Sequence, residues 1–133
     1  MKEIEESEES TVYQPTLGSV MLGTSDPERL HAWYLKALRP EVNQYGWLVF
    51  GAVTMLIDGR DDVSEKNPEP GRVVLNLHVA DARTMVEHLD SVGVTWLAEL
   101  EEREHGQFAT LIDPDGNYVQ IIEMNDAYLM SLR

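Results

Sequence analysis

The residues best equipped for chemistry sit in two short stretches. "VLNLHVAD", from Val74, carries Asn76 and His78, and "DPDGNYVQIIE", from Asp113, carries Tyr118 and Gln120. In an extended chain, side chains two positions apart share a face. An imidazole that titrates near neutral pH can serve as a general base or as a hydrogen-bond partner for a ligand. A carboxamide and a phenol can orient a polar ligand. His78 is therefore the candidate acid–base residue. The competing reading is a buried histidine tied to a neighbour such as Asn76, or one near a subunit interface. His31 and His88 fall on helix flanks and His105 in a turn, where they read as surface residues. Asp61 and Asp62 read as solvated charges. No Ser-His-Asp order, phosphate-binding glycine loop or HExxH helix is present. The chain has no cysteine, which excludes disulfides, thiolate metal sites and a cysteine nucleophile.

These residues need elements to hold them, and the chain supplies the same series twice. "SVMLGTSDPERLHAWYLKAL" starts at Ser19 and "VLNLHVADARTMVEHLDSVG" at Val74. Each opens as an apolar strand, reaches an aspartate (Asp26, Asp81) and turns helical. Leu30, Trp33, Tyr34, Ala37 and Leu38 fall on one helical face, as do Ala82, Met85, Val86 and Leu89. Ser25 and Glu28 match a capping box, Pro27 suits a first turn, Asp81 suits an N-cap and Gly93 a helix stop. Three strand-like pieces follow each helix. The expected fold is α+β: two βαβββ repeats forming a curved, cup-shaped mixed sheet with helices on the outer face. The expected layout is an acidic disordered tail over 1–14, repeats over 15–58 and 72–124, a polar, proline-containing linker over 59–71, and a C-terminal extension over 125–133. Half a chain is too small for a core of its own, so the halves should share one.

Composition removes several functions. The formal charge is −14, from 24 acidic and 10 basic residues. Nucleic-acid binding needs clustered Lys and Arg, so a nucleic-acid partner is not expected. An acidic surface either solvates the protein or attracts a cationic ligand. No apolar run approaches the roughly 20 residues that span a bilayer, and no apolar signal region opens the sequence. A cytoplasmic protein with no membrane partner is the expectation.

Strand alternation assigns faces. Val73, Leu75, Leu77 and Val79 point one way with Val119 and Ile121, under the helices. Val74, Asn76 and His78 share the other face with Tyr118, Gln120 and Ile122. Ser19, Met21 and Gly23 face away from the first helix. Met55 is assigned with Met21 to an adaptable cup lining. Trp47, Trp96 and Phe108 lie on strands whose facing the pattern leaves open, and aromatic rings there would stack on a planar or cationic ligand.

The duplicated unit and the DPDG turn running into "NYVQIIE" resemble the vicinal oxygen chelate superfamily, over roughly residues 15–125. That group includes glyoxalase I, extradiol dioxygenases, fosfomycin-resistance enzymes and bleomycin-binding proteins. The resemblance implies a His or Glu metal ligand from the first and last strand of each half. Counted from Asp26, Asp81 and the DPDG turn, those positions are Ser19, Met55 (within one residue), Val74 and Gln120. None is a histidine or a carboxylate, and Ser, Met, Val and Gln make a poor set for a divalent transition metal. No metal and no cofactor are expected. The resemblance implies a metal-independent, homodimeric binding protein for a cationic or aromatic small molecule such as an antibiotic. The candidate contacts are Ser19, Met21, Trp47 and Met55 in the first half, and Asn76, His78, Phe108, Tyr118 and Gln120 in the second. One alternative is a lyase, isomerase or dioxygenase of the same superfamily. Another is a subunit whose cup is vestigial, supported by the apolar C-terminal tail.

Overall fold

The computed structural model describes residues 14–132, so the tail expected over 1–14 lies, but for Gln14, outside the described residues. The first repeat comprises β1 (Ser19–Thr24), α1 (Pro27–Leu38), β2 (Glu41–Val42), β3 (Leu48–Phe50) and β4 (Val53–Gly59). The second comprises β5 (Leu75–His78), α2 (Ala82–Val92), β6 (Thr95–Arg103), β7 (Gly106–Ile112) and β8 (Tyr118–Met124), with α3 (Asp126–Ser131) after it. The α+β class and the doubled βαβββ unit are as expected. The strands divide into two four-stranded sheets, ordered β1-β4-β3-β2 and β5-β8-β7-β6. In each sheet the first strand pairs in parallel with the last strand of its unit, β1 with β4 and β5 with β8. The other pairings are antiparallel hairpins. The intervening helix makes each parallel pairing possible, because a parallel connection needs a long crossover.

Both helices start where aspartate caps them. Asp26 accepts from the Arg29 N–H at 3.2 Å, and Asp81 from the Thr84 N–H at 3.1 Å. The cap of α1 is thus Asp26 and not Ser25. Its carboxylate reaches the third residue beyond it, the usual N-cap geometry. Helix α2 stops at Gly93, whose φ of 85° lies in the left-handed region where glycine carries no penalty. Helix α1 stops at Arg39, a non-glycine residue in the same region at φ 49°.

The two helices lie over one face of each sheet, and that side forms one core. Leu30, Tyr34 and Ala37 of α1 and Ala82 and Leu89 of α2 meet Leu48, Leu111, Val119 and Ile121 from the strands. The halves share this core, and four polar contacts fasten it. Tyr34 Oη donates to Asp113 Oδ2 at 2.7 Å. His88 Nε2 meets the Ala37 carbonyl at 3.0 Å. Asn67, in the segment between the repeats, donates from its backbone N–H to the Asp115 carbonyl at 2.7 Å and from its amide to Asn117 Oδ1 at 2.9 Å. His88 is therefore partly buried between the helices and not a surface residue. Val73 lies before β5 and is 67% exposed, so it is not part of the helix-packed row.

Candidate functional site

Helices cover one face of each sheet; the opposite face is open. Register decides what each open face carries, since directly paired residues point to the same side. In the second sheet Gln120 pairs with Asn76 on one side and with Thr110 on the other. This makes a polar row of three side chains across β5, β8 and β7. Within it Gln120 Nε2 approaches Thr110 Oγ1 at 3.4 Å, a long hydrogen bond that leaves most of the amide's capacity free. The next row holds His78, Ile122 and Phe108, and the row on the other side holds Tyr118 and Ile112. In the first sheet Ser19 pairs with Thr54, and Met21 with Leu56.

The structure brings Asn76, His78, Phe108, Tyr118 and Gln120 onto one face. His78 is exposed, so it is not the buried, neighbour-tied histidine of the competing reading. Phe108, whose facing the sequence left open, lies on this face. Its ring carries the Arg103 guanidinium 5.0 Å from the centroid, within cation–π range. Ser19 and Met21 lie on the open face of the first sheet, with Met21 52% exposed. Trp47 is 39% exposed just before β3, and its ring packs at a tilt against Tyr45 with centroids 5.1 Å apart. Trp96 lies on the helix side, paired with Leu111, and its indole N–H donates to Asp90 at 2.8 Å.

Met55 is in the wrong place for the cup. It pairs with Val20 and Leu48, is 4% exposed and belongs to the shared core. Its strand neighbours point the other way. Thr54 and Leu56 occupy the open face instead. Sequence reasoning also missed Thr110. Its parity with Phe108 in "GQFATLI" was the available signal, but it needed the facing of Phe108 first.

The positions that correspond to the superfamily's metal ligands hold Ser19, Thr54 or Leu56, Val74 and Gln120. These side chains do not fit a divalent transition metal, which takes imidazole, thiolate or carboxylate donors. Among the described residues no three His, Cys, Asp or Glu side chains converge. Glu123, the nearest carboxylate in sequence, is turned the other way, where it accepts from the Ala82 N–H at 2.8 Å at the start of α2. The face can hydrogen-bond, stack and pack; it holds no convergent acid–base set.

The family model described as "Glyoxalase-like domain" matches residues 19–122, most of the chain. The chain belongs to the glyoxalase-like domain family. The doubled βαβββ unit that defines its fold is that of the vicinal oxygen chelate superfamily. Solved structures with this fold include a glyoxalase/bleomycin resistance protein/dioxygenase family enzyme from Burkholderia phytofirmans PsJN. It has 17% identity and a TM-score of 0.68, with 84% of this chain and 100% of that chain covered. TioX from Micromonospora sp. ML1 has 13% identity and a TM-score of 0.66, with 84% and 100% covered. TnmS3, an antibiotic binding protein from Streptomyces sp. CB03234, has 18% identity and a TM-score of 0.64, with 85% and 98% covered. At these identities the likeness is one of fold. No curated protein matches the sequence.

In this glyoxalase-like chain two concavities lie at the loops, one around Thr24 and Arg60–Val63, the other between Asp62–Pro68 and Asp115–Asn117. Among the described residues no helix is long and apolar enough to cross a membrane.

Proposed function

We propose that this protein is a metal-independent small-molecule binding protein, working as a homodimer in which open sheet faces from two subunits enclose the ligand. The observation that carries the proposal is the row Asn76–Gln120–Thr110. It sets uncharged polar groups among Tyr118, Phe108, His78 and Ile122, the mixture typical of ligand sites: mostly apolar walls with few polar anchors. No helix covers the face, on which Asn76 and His78 are exposed and Ile122 and Thr110 buried, and its opposite number on the first sheet carries Ser19, Met21, Thr54 and Leu56. A second subunit that laid the one face over the other would exclude water from both.

The ligand class we propose is an aromatic cation, such as an antibiotic. Two features support it. The net charge of −14 draws cations toward the surface. Phe108 already accepts a guanidinium over its ring. The fold is also that of TnmS3, which is described as an antibiotic binding protein. Localisation in the cytoplasm belongs to the same proposal.

The test is a thermal-shift screen of the untagged protein against bleomycin and a panel of cationic aromatic antibiotics, in buffer stripped of metal. Binding to the folded state alone raises the melting temperature by mass action. A hit whose shift disappears in Gln120→Ala supports the proposal. A hit insensitive to Gln120→Ala and His78→Ala would remove the open face as its site. Conversion of a compound by the protein, lost in His78→Ala, would favour an enzyme instead.

A further inference from the structure

A second place in the molecule has the features of a ligand site, away from both sheet faces. It lies where the segment between the repeats crosses the DPDG turn. The groove there has a volume of about 370 Å³, and Gly23, Asp62, Ser64, Asn67, Asp115 and Asn117 are among its lining residues. Its floor is the junction of the two halves, fixed by the Asn67 bonds to Asp115 and Asn117 described above.

Asp115 is the unexplained residue. It is only 8% exposed, yet among the described residues its carboxylate accepts no hydrogen bond and forms no ion pair. Its own backbone N–H is committed to Asp113 Oδ1 at 2.8 Å, so the residue is held by its main chain while its side chain is left over. No unpartnered side-chain oxygen among the described residues is sealed from solvent. Asp115 lines the groove, and its carboxylate oxygens remain accessible to an added partner.

The remaining lining groups are matched to the same need. Ser64 Oγ spends its proton on the Lys66 carbonyl at 2.9 Å, which leaves its lone pairs as acceptors. Asn117 turns its amide nitrogen to Asp113 Oδ2 at 2.9 Å and its oxygen toward Asn67. Asp62 adds a second carboxylate, shared with Arg60 in an exposed pair. The groove thus presents acceptors and has few free donors. Lys66, the nearby ammonium, is bonded to the Pro114 carbonyl.

We propose that this groove binds a small organic ammonium cation, with the Asp115 carboxylate as its charge partner and Ser64 Oγ and Asn117 Oδ1 as further acceptors. An ammonium with N–H groups offers up to three donors, which suits a carboxylate, a hydroxyl and an amide oxygen. A bare metal ion suits the groove less well. Only two carboxylates line it, whereas a calcium site takes six to eight oxygens close around the ion. The site is independent of the sheet faces, so it stands or falls apart from the function proposed above.

The experiment is an NMR titration of the full chain with methylammonium chloride, following backbone amides at constant ionic strength. Tetramethylammonium, calcium and magnesium chlorides are run in parallel. The expected result is a saturable shift of the Ser64, Asn67 and Asp115–Asn117 amides with methylammonium. Tetramethylammonium, which has no N–H, should give no saturable shift. Asp115→Asn should weaken binding at least tenfold. If that variant does not fold, Ser64→Ala, at an exposed residue, carries the test and should weaken binding about threefold. Three results would overturn the proposal. One is the absence of a saturable shift with methylammonium. Another is unaltered binding in the folded variant. The third is saturation by calcium or magnesium but not by methylammonium, which would make the groove a metal site.

Discussion

Replacing Tyr34 by Phe removes a single oxygen from the middle of the molecule, and the structure says what that should cost. Tyr34 is fully buried and Asp113 is 4% exposed, so water does not replace the lost bond easily. The phenol donates to Asp113 Oδ2 at 2.7 Å across 79 positions of sequence. Three other donors stay on the same carboxylate: the Asp115 and Asn117 N–H groups at 2.8 and 2.9 Å, and the Asn117 amide at 2.9 Å. The ring itself stays, as does its edge contact with Trp33 at 4.9 Å. The loss is therefore one hydrogen bond to a charged acceptor, generally about 1.5–3 kcal/mol. With three donors retained, the lower part of that range applies, about 2 kcal/mol.

Urea unfolding of the two proteins measures it. The midpoint should fall with no change in slope, because the buried surface is unchanged. The same bond has a second signature. Burial foremost, then the Asp113 charge and its hydrogen bond, hold the Tyr34 hydroxyl well above its usual pKa of 10.0. The unfolded chain ionises Tyr34 near that value and the folded protein does not. The stabilisation is complete below about pH 10 and is lost as pH rises above it, by up to about 1.4 kcal/mol per pH unit. The Phe variant should lack this part of the alkaline decline. A loss under about 0.5 kcal/mol, or an unchanged alkaline decline, would refute the reasoning that Tyr34 and Asp113 lock the two halves together.

Three further predictions rest on other parts of the fold. Gly106→Ala should destabilise by at least about 3 kcal/mol or prevent folding, because its φ is +153° and an added Cβ would collide with the Glu123 carbonyl of β8; soluble yield and urea unfolding report it. Leu89→Ala, at a fully buried position on the inner face of α2, should cost about 2–5 kcal/mol by the cavity it leaves, read from the same unfolding curves. The Thr84 backbone and hydroxyl bonds hold the Asp81 carboxyl below its usual 3.8. Its capping contribution is therefore present above about pH 3.8 and lost as pH falls through the depressed value. Acid-unfolding curves of Asp81→Ala should lack this part of the acid decline.

The sequence made the fold legible because its signals were local and repeated. Aspartate caps, helical stripes and strand alternation occur twice in the same order, and each is set by neighbours a few residues away. The faces followed from parity wherever a strand had a clear apolar row, as in "LNLHV" and "NYVQIIE". Parity was misapplied at Met55. In "AVTMLID" Val53, Met55 and Ile57 form the wholly apolar row and Ala52, Thr54, Leu56 and Asp58 the mixed one, and pairing with β1 and β3 places the apolar row inward. Trp96 and Phe108 were open for another reason: β6, which pairs with β7, carries two register shifts near Ala98. A bulge resets which residues point inward. Asp113 was read as a turn residue and is one. Its second role, as the acceptor for Tyr34, depends on a contact between the halves that no local pattern records. The Asn76–Gln120–Thr110 row was two-thirds visible, since Asn76 and Gln120 were identified and Thr110 was not.

Native mass spectrometry of the untagged protein, in metal-stripped buffer with the antibiotic panel, tests the central claim most directly. It reads subunit number, ligand and metal in one spectrum. The account predicts a dimer that retains an intact antibiotic with no transition metal in the complex. A protein that retains none of the panel, or binds only once a transition metal is supplied and carried in the complex, would contradict it.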